Sequence, residues 1–242
     1  MPLTAGVLII GSLFWDQEKD RPVWRAERLN MAAARWVSAP IRYGRKSITR
    51  GGGYTMVLSG SCPAGQVRLV PCTRPVATSH DLTAEAEHLW KAEQPDAGAR
   101  RIASSGGWGC VALLPNPARH LPEEVLEGWT ARVAQEPEYA RVARAIEEGG
   151  LLSEKGLLRI EWPRAIGEGG ARVDTDLLLV TVTKPTLVGT PLAYPTVEAI
   201  AGAWNAAGKH VEYFWSNRDN GIETFQDDAI RALLRLRERG PA

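Results

Sequence analysis

The stretch "VLIIGSLFWD", residues 7–16, is where the prediction of this fold begins. Its four apolar residues, Val7 to Ile10, predict a short buried strand. The strand runs into Gly11-Ser12, a pair typical of a turn, and the aromatic residues Phe14 and Trp15 follow at once. A turn explains the glycine but not the aromatic pair. We therefore expect this segment to do more than reverse the direction of the chain.

Composition sets the class of protein that we expect. The chain has 242 residues, of which 44% are apolar and 24% charged, and its formal net charge is +1. It therefore has no strong basic field for binding nucleic acid. No apolar run reaches the roughly 18 residues that a membrane span needs, and the N-terminal segment lacks the features of a signal peptide. We expect a cytoplasmic protein without nucleic-acid or membrane partners.

Cysteine and histidine spacing gives no sign of a metal site. Cys62, Cys72 and Cys110 are widely spaced without a C-x-x-C pair, which favours reduced and mostly buried thiols. The four histidines form no H-E-x-x-H or similar spacing. We therefore expect neither a metal nor a cofactor. A hydrolase that uses one of the three thiols stays an alternative, although none lies in a recognisable nucleophile motif.

Apolar patterning predicts strands mainly in the first 115 residues. The predicted strands are residues 6–10, 35–48, 54–59, 65–72, 108–115, 156–162 and 175–184. Pro40 predicts an edge or a bulge in the second of these, and "GSCPAG" at 60–65 is typical of a hairpin turn. The predicted helices are residues 82–94, 122–135, 137–150, 196–209 and 227–239. This irregular alternation predicts an α+β fold with a closed or nearly closed mixed sheet.

The helix over residues 82–94 carries a carboxylate in an unusual position. Asp81 is its expected N-cap, and Pro95 ends the pattern. At about 100° per residue, Glu93 lies within the apolar arc that contains Leu82 and Leu89. A carboxylate on such a face needs a partner or a proton, and an apolar environment makes carboxylates better general bases. The alternative is that Glu93, in the last turn, swings into water.

Three segments resemble one enzyme family. In order, "IIGSLFWD", "PIRYGRKSITRG" and "YTMVLSG" are similar to the gamma-glutamylcyclotransferase superfamily, and most of all to its ChaC-type branch. Members begin with a strand that ends in a Tyr-Gly-Ser-Leu motif, often followed by Trp, and a Ser-x-x-Arg-Gly segment comes next. The matching residues here are Gly11, Ser12, Leu13 and Trp15 for the first motif, and Ser47, Arg50 and Gly51 for the second. The family's catalytic glutamate lies in a Leu-x-x-x-Glu pattern, which Leu89 and Glu93 match, so the helical pattern and the resemblance select the same glutamate.

The resemblance implies a fold and an activity. It implies one gamma-glutamylcyclotransferase-like domain over residues 1–242, with a mixed β-barrel, surrounding helices and a helical C-terminal extension. The likeness covers roughly residues 6–115, and residues 120–242 match poorly. The implied reaction releases 5-oxoproline from a small-molecule γ-glutamyl amine, peptide or glutathione, by attack of the substrate's own amine on its γ-carbonyl. A homodimer is one possible oligomeric state of such a protein.

The resemblance also assigns roles to residues. Glu93 is the implied general acid and base, and the substrate-binding residues are Gly11, Ser12, Leu13, Trp15 and Arg50. Backbone amides after a glycine bind a carboxylate or an oxyanion, and a guanidinium fork suits a carboxylate. The alternative for Arg50 is a structural salt bridge.

One position departs from the family pattern. Ile10 stands where the family has tyrosine before the glycine. This departure supports the rival hypothesis of a catalytically inactive ligand-binding or interaction protein on the same fold. Trp15, Tyr43 and Tyr54 are candidates to supply the missing polar aromatic group. The polar-aromatic cluster at residues 212–228 is interpreted either as a pocket wall or lid or as a surface turn before the last helix.

Overall fold

The computed structural model describes residues 2–98, 100–146, 150–167 and 173–238. The strands are β1 (Ala5–Ile9), β2 (Arg35–Ala39), β3 (Ile41–Lys46), β4 (Tyr54–Leu58), β5 (Gly65–Pro71), β6 (Gly109–Pro115) and β7 (Leu177–Thr183). The helices are α1 (Arg21–Arg28), α2 (Ser79–Glu93), α3 (Glu123–Ala134), α4 (Tyr139–Ala145), α5 (Val197–Ala206), α6 (Glu212–Asp219) and α7 (Asp227–Glu238). Short 3₁₀ helices lie at Met31–Ala33, Ile48–Arg50 and Gly208–Val211.

The strands form two sheets. The main sheet has five strands in the order β2-β5-β1-β7-β6, and β3 pairs with β4 in a separate two-stranded sheet. In the main sheet β1 runs parallel to β7, with Leu8 opposite Val180, and all other neighbours are antiparallel. The prediction of an α+β fold with a mixed sheet is confirmed. The predicted closed barrel is wrong for the described residues, because the two sheets do not join.

The break between the sheets follows from Pro40. Proline has no N–H for a ladder hydrogen bond, and β2 ends at Ala39, where the chain crosses from one sheet to the other. The Pro40 carbonyl still accepts from Ser59 N at 2.9 Å, so the crossing stays tied to the end of β4. The expected hairpin between β4 and β5 is wrong, because β4 pairs with β3 whereas β5 pairs with β1 and β2.

Helix α2 begins three residues earlier than predicted. Its N-cap is Thr78, which accepts from Asp81 N, while the Asp81 side chain accepts from Thr78 N at 2.9 Å. This reciprocal arrangement is a capping box, so Asp81 is its third helical residue and not the cap. The apolar face, which includes Leu82 and Trp90, is fully buried.

Other elements differ from the sequence predictions in detail. Residues 156–162 form isolated bridges and no strand, since Leu157 pairs singly with Leu113. Helix α4 begins after Pro137, and the end predicted for it falls partly at residues 147–149, outside the described residues. Helices α1 and α6 were not predicted. Within the described residues, no helix has the length and apolarity needed to cross a bilayer.

Candidate functional site

A cavity of about 540 Å³ opens where the two sheets face each other. That volume is in the range of small-molecule sites. The parallel strands β1 and β7 both end here, which is the usual place for a ligand site in sheets with parallel strands. The end of α2 and the hairpin β3–β4 close the other sides. The lining includes the predicted residues Gly11, Ser12, Leu13, Arg50 and Glu93, and the departing residue Ile10.

The turn after β1 presents unused amides. Its internal hydrogen bonds run from Phe14 N to Gly11 O and from Trp15 N and Asp16 N to Ser12 O. Within the part of the chain that the structure describes, the N–H groups of Gly11, Ser12 and Leu13 have no acceptor. They line the cavity, and successive free amides of this kind bind anions.

A buried arginine fixes the carbonyl side of this turn. Arg25 donates to Leu13 O and to Asp16 O, each at 2.8 Å. Burial lowers the pKa of the Arg25 guanidinium, and the nearby Asp16 raises it. Because the turn carbonyls are occupied, its amide face is held in one orientation, and no ligand is needed to form it.

Two arginines share the polar groups of the turn. Arg50 Nη2 donates to Ser12 Oγ at 3.0 Å and lies 3.5 Å from Asp16 Oδ2. Arg21 Nη1 donates to the same hydroxyl at 3.3 Å and forms a close ion pair with Asp16. Two guanidinium groups, those of Arg21 and Arg50, thus share the single carboxylate of Asp16. The turn therefore carries excess positive charge and favours an anionic ligand. Both interpretations of Arg50 thus have support, because it forms a structural ion pair and also lines the cavity.

The two inward carboxylates of α2 have different environments. Glu85 is the more buried, and Arg28 holds it through hydrogen bonds of 2.6 and 3.2 Å. Burial raises the pKa of Glu85, and Arg28 acts against that rise. Glu93 is half-buried, lines the cavity and has no carboxylate-to-cation contact within 4.0 Å among the described residues. The interpretation in which Glu93 turns away into water does not describe this conformation.

A tyrosine from α6 forms part of the cavity wall beside the turn. Tyr213 stacks on Trp204, with 5.5 Å between ring centroids, and Arg50 lies 4.4 Å above its other face. Its hydroxyl is so near Gly11 that a Cβ atom built there would lie 2.8 Å from the oxygen. Burial raises the pKa of Tyr213, while Arg50 lowers it, so the hydroxyl keeps its proton. Sequence reasoning missed this residue, although the cluster at 212–228 was noted.

The suggested substitutes for a tyrosine at position 10 lie elsewhere. Trp15 is outside the cavity lining: its Nε1 donates to Asn217 Oδ1 at 2.8 Å, and its ring lies 6.1 Å from that of Tyr213. Tyr43 and Tyr54 are buried in the core. Among tyrosines of the described residues, Tyr213 alone lines the cavity.

The cavity lining includes a second group of polar atoms that the sequence did not suggest. Arg45 lies over Trp108, with its guanidinium carbon 4.4 Å from the ring centroid. Burial lowers the pKa of Arg45, whereas Glu93 and Tyr213 raise it. On β7, Thr181 and Thr183 are more than nine-tenths buried, and their hydroxyls have no hydrogen-bond partner in the described structure. All four side chains line the cavity.

Neither a metal-ligand cluster nor a cysteine lies at this cavity among the described residues. The described residues contain no cluster of three or more metal-ligating side chains. Burial raises the pKa of all three thiols, to about 12 for Cys72 and Cys110, so the reactive thiolate is disfavoured. None of the cysteines lines this cavity.

Comparison with known proteins gives no relative. No protein-family model matches the chain, and neither a curated protein nor a solved structure matches it. The function must therefore be inferred from the cavity and its residues.

Proposed function

We propose that the chain is a gamma-glutamylcyclotransferase-like enzyme that releases 5-oxoproline from a γ-glutamyl compound. The observation that carries the proposal is the shared cavity of Glu93 and the Gly11–Leu13 amides. A carboxylate without a cation in contact thus lines the same cavity as residues with free N–H donors. This is the combination that intramolecular aminolysis needs, because a base must meet the amine while donors meet the carbonyl oxygen.

The substrate supplies both reacting groups. Its α-amine nitrogen attacks the γ-carbonyl carbon, a C–N bond forms, and the carbonyl oxygen becomes an oxyanion. Glu93 takes a proton from the attacking nitrogen. When the bond to the leaving amine breaks, Glu93 returns the proton to that amine, and 5-oxoproline and the free amine are the products. The enzyme must hold a flexible chain in a ring-closing geometry.

The turn and its arginines bind the charged end of the substrate. The amides of Gly11, Ser12 and Leu13 stabilise the oxyanion, and Arg50, already oriented by Ser12, pairs with the substrate's α-carboxylate. The Tyr213 hydroxyl, beside Gly11, supplies the polar aromatic group that position 10 lacks. Ile10 then forms an apolar part of the cavity wall. In this proposal the reaction does not require a tyrosine at position 10.

The test is direct. The purified protein is incubated with glutathione, γ-glutamyl dipeptides and γ-glutamyl amines, and 5-oxoproline is measured. We expect turnover of at least one compound and its loss, by 10²-fold or more, in Glu93→Gln, because general acid–base catalysis contributes about 10²–10⁴-fold. Glu124→Gln, at an exposed glutamate of α3, is the matched control and should retain the rate.

The outcomes separate the two hypotheses. No 5-oxoproline from any compound contradicts the proposed reaction for that panel. Binding of a γ-glutamyl compound without turnover supports the inactive binding protein instead. Turnover that survives in Glu93→Gln removes Glu93 from the mechanism.

A further inference from the structure

We infer that Arg45, Trp108, Thr181 and Thr183 form a second anion-binding subsite, which recognises a carboxylate on the leaving amine. The inference rests on the proposed function and narrows its substrates to γ-glutamyl amino acids and peptides, as opposed to γ-glutamyl alkylamines. The proposed reaction uses none of these four residues.

Arg45 forms no ion pair in contact with a carboxylate of the described residues. Among the described residues, no carboxylate lies within 4.0 Å of its guanidinium, whereas Arg21 and Arg50 both contact Asp16. The Trp108 ring shields one face of the guanidinium and fixes its plane, with 4.4 Å between the guanidinium carbon and the ring centroid. A planar fork held in this way suits a carboxylate, which it binds through two parallel hydrogen bonds.

The two threonines provide an independent indication. Buried hydroxyls are normally hydrogen-bonded, and an unpaired one requires an explanation. Thr181 and Thr183 lie two residues apart on β7, so both side chains point to the same face of the sheet, towards the cavity. Each is more than nine-tenths buried and has no partner in the described structure. Two unpaired hydroxyl donors beside a free guanidinium are the groups that an anionic ligand would satisfy.

The chain places the threonines of this subsite on β7, the strand next to β1, whose end leads into the turn. Trp108 precedes β6, whose Gly109 pairs with Thr183, and Lys184 N donates to Trp108 O at 2.7 Å. Three residues of the subsite thus lie on β7 and just before β6, Arg45 lies on β3, and the free amides follow β1, the other neighbour of β7. Glu93 acts electrostatically on Arg45 without contacting it. A substrate with its γ-glutamyl carboxylate at the turn and its reacting amide near Glu93 extends its leaving group towards Arg45.

A matched pair of substrates tests the inference. γ-Glutamylalanine and γ-glutamylethylamine differ only by the carboxylate on the leaving amine. We expect kcat/KM for γ-glutamylalanine to be higher by roughly 10- to 100-fold, the range of a charged hydrogen-bonded contact. Arg45→Met should remove most of this preference. Lys46→Met, which removes one positive charge from the neighbouring exposed position, should keep it.

The ratio of the two rates distinguishes the possible roles of Arg45. If Arg45 bound the α-carboxylate common to both compounds, Arg45→Met would slow both equally and leave the ratio unchanged, which overturns the inference. Equal turnover of both compounds by the unmodified protein overturns it as well, while the proposed reaction stands.

Binding to the Glu93→Gln variant, measured by calorimetry, separates recognition from chemistry. Tighter binding of γ-glutamylalanine that depends on Arg45 supports the subsite even if neither compound is turned over, a result that contradicts only the proposed reaction. If neither compound binds or is turned over, the subsite and the reaction are both wrong.

Discussion

The Ser12 hydroxyl accepts a hydrogen bond from Arg50 Nη2 at 3.0 Å, so the turn after β1 is joined to the segment after β3. These two residues come from the two sequence motifs that resemble the same family. Their contact brings the motifs together at the cavity, which the end of α2 also lines. A second contact, of 3.5 Å between Arg50 Nη2 and the Asp16 carboxylate, holds the guanidinium in place.

Replacing Arg50 should weaken substrate binding. In Arg50→Met we expect KM to rise roughly 10- to 100-fold, because a charge-assisted contact to the substrate's α-carboxylate is lost. Steady-state kinetics with a substrate that the unmodified protein turns over measures this. Ser12→Ala removes the hydroxyl but keeps the guanidinium, so its effect should be smaller. An equal effect of both changes would mean that Arg50 only orders the turn.

The strands and long helices were largely predictable because their patterns are local. The apolar runs of β1, β6 and β7 and the capped helix α2 each follow from consecutive residues. Helices α1 and α6 have only eight residues each and lie in no longer helical pattern, unlike the seven-residue α4, which lies within the pattern over 137–150.

What the sequence did not show depends on contacts between distant residues. The barrel prediction failed because strand pairing is non-local, and nothing near Pro40 indicates which sheet receives the chain. Glu93 was found by its helical position, but the same pattern did not show that Glu85 is the carboxylate with a buried partner, since Arg28 lies on another helix. Arg45 and Tyr213 reach the cavity only through the placement of β3 and α6.

Substitution of Glu85 should mainly lower stability, whereas substitution of Glu93 should mainly lower activity. Glu85→Gln leaves the Arg28 charge buried without a counter-charge, so we expect a loss of about 3 kcal/mol or more in the free energy of unfolding. Glu93→Gln should change stability by less than about 0.5 kcal/mol while abolishing turnover. Urea unfolding and the 5-oxoproline assay, below the unfolding transition, measure both properties. A large loss of stability in Glu93→Gln would assign that residue a structural role.

Gly11 and Tyr213 should show coupled effects. Gly11→Ala places a methyl group 2.8 Å from the Tyr213 oxygen, so the turn or the ring must shift. We expect a lower melting temperature and lower activity. Tyr213→Phe removes that oxygen, and the next ring atom lies 3.8 Å from the added carbon. The double variant should therefore lose about 1 kcal/mol less stability than the sum of the losses in the two single variants, as a double-mutant cycle measures it. If the losses of stability in the two single variants simply add up in the double variant, the close contact between residue 11 and the Tyr213 hydroxyl is contradicted.

The unpaired threonines should be replaceable at a gain in stability. Thr181→Val and Thr183→Val each exchange a buried hydroxyl without a partner for a methyl group of similar shape. Removing an unsatisfied polar group stabilises by about 1 kcal/mol, which corresponds to a rise of about 2–4 °C in the melting temperature. Thr55→Val is the control. It lines the same cavity, but its hydroxyl donates to Arg45 O at 3.2 Å, so this change should destabilise. A loss of stability in both β7 variants would show that their hydroxyls are already satisfied.

Asp227 should make stability fall as pH rises from about 4 to 6. Burial raises its pKa from 3.8 to about 6, although Thr224 donates to it through N and Oγ1. The folded state then binds a proton that the unfolded chain has released, so the stability that Asp227 contributes is complete below pH 3.8 and is lost as pH rises through about 6. A shift of this size corresponds to about 3 kcal/mol. Asp227→Asn should lose this dependence, whereas Asp228→Asn, at an exposed site, should keep it. Melting temperatures of the three proteins between pH 4.5 and 7.5 measure the effect, and parallel curves for the unmodified protein and Asp227→Asn would refute it.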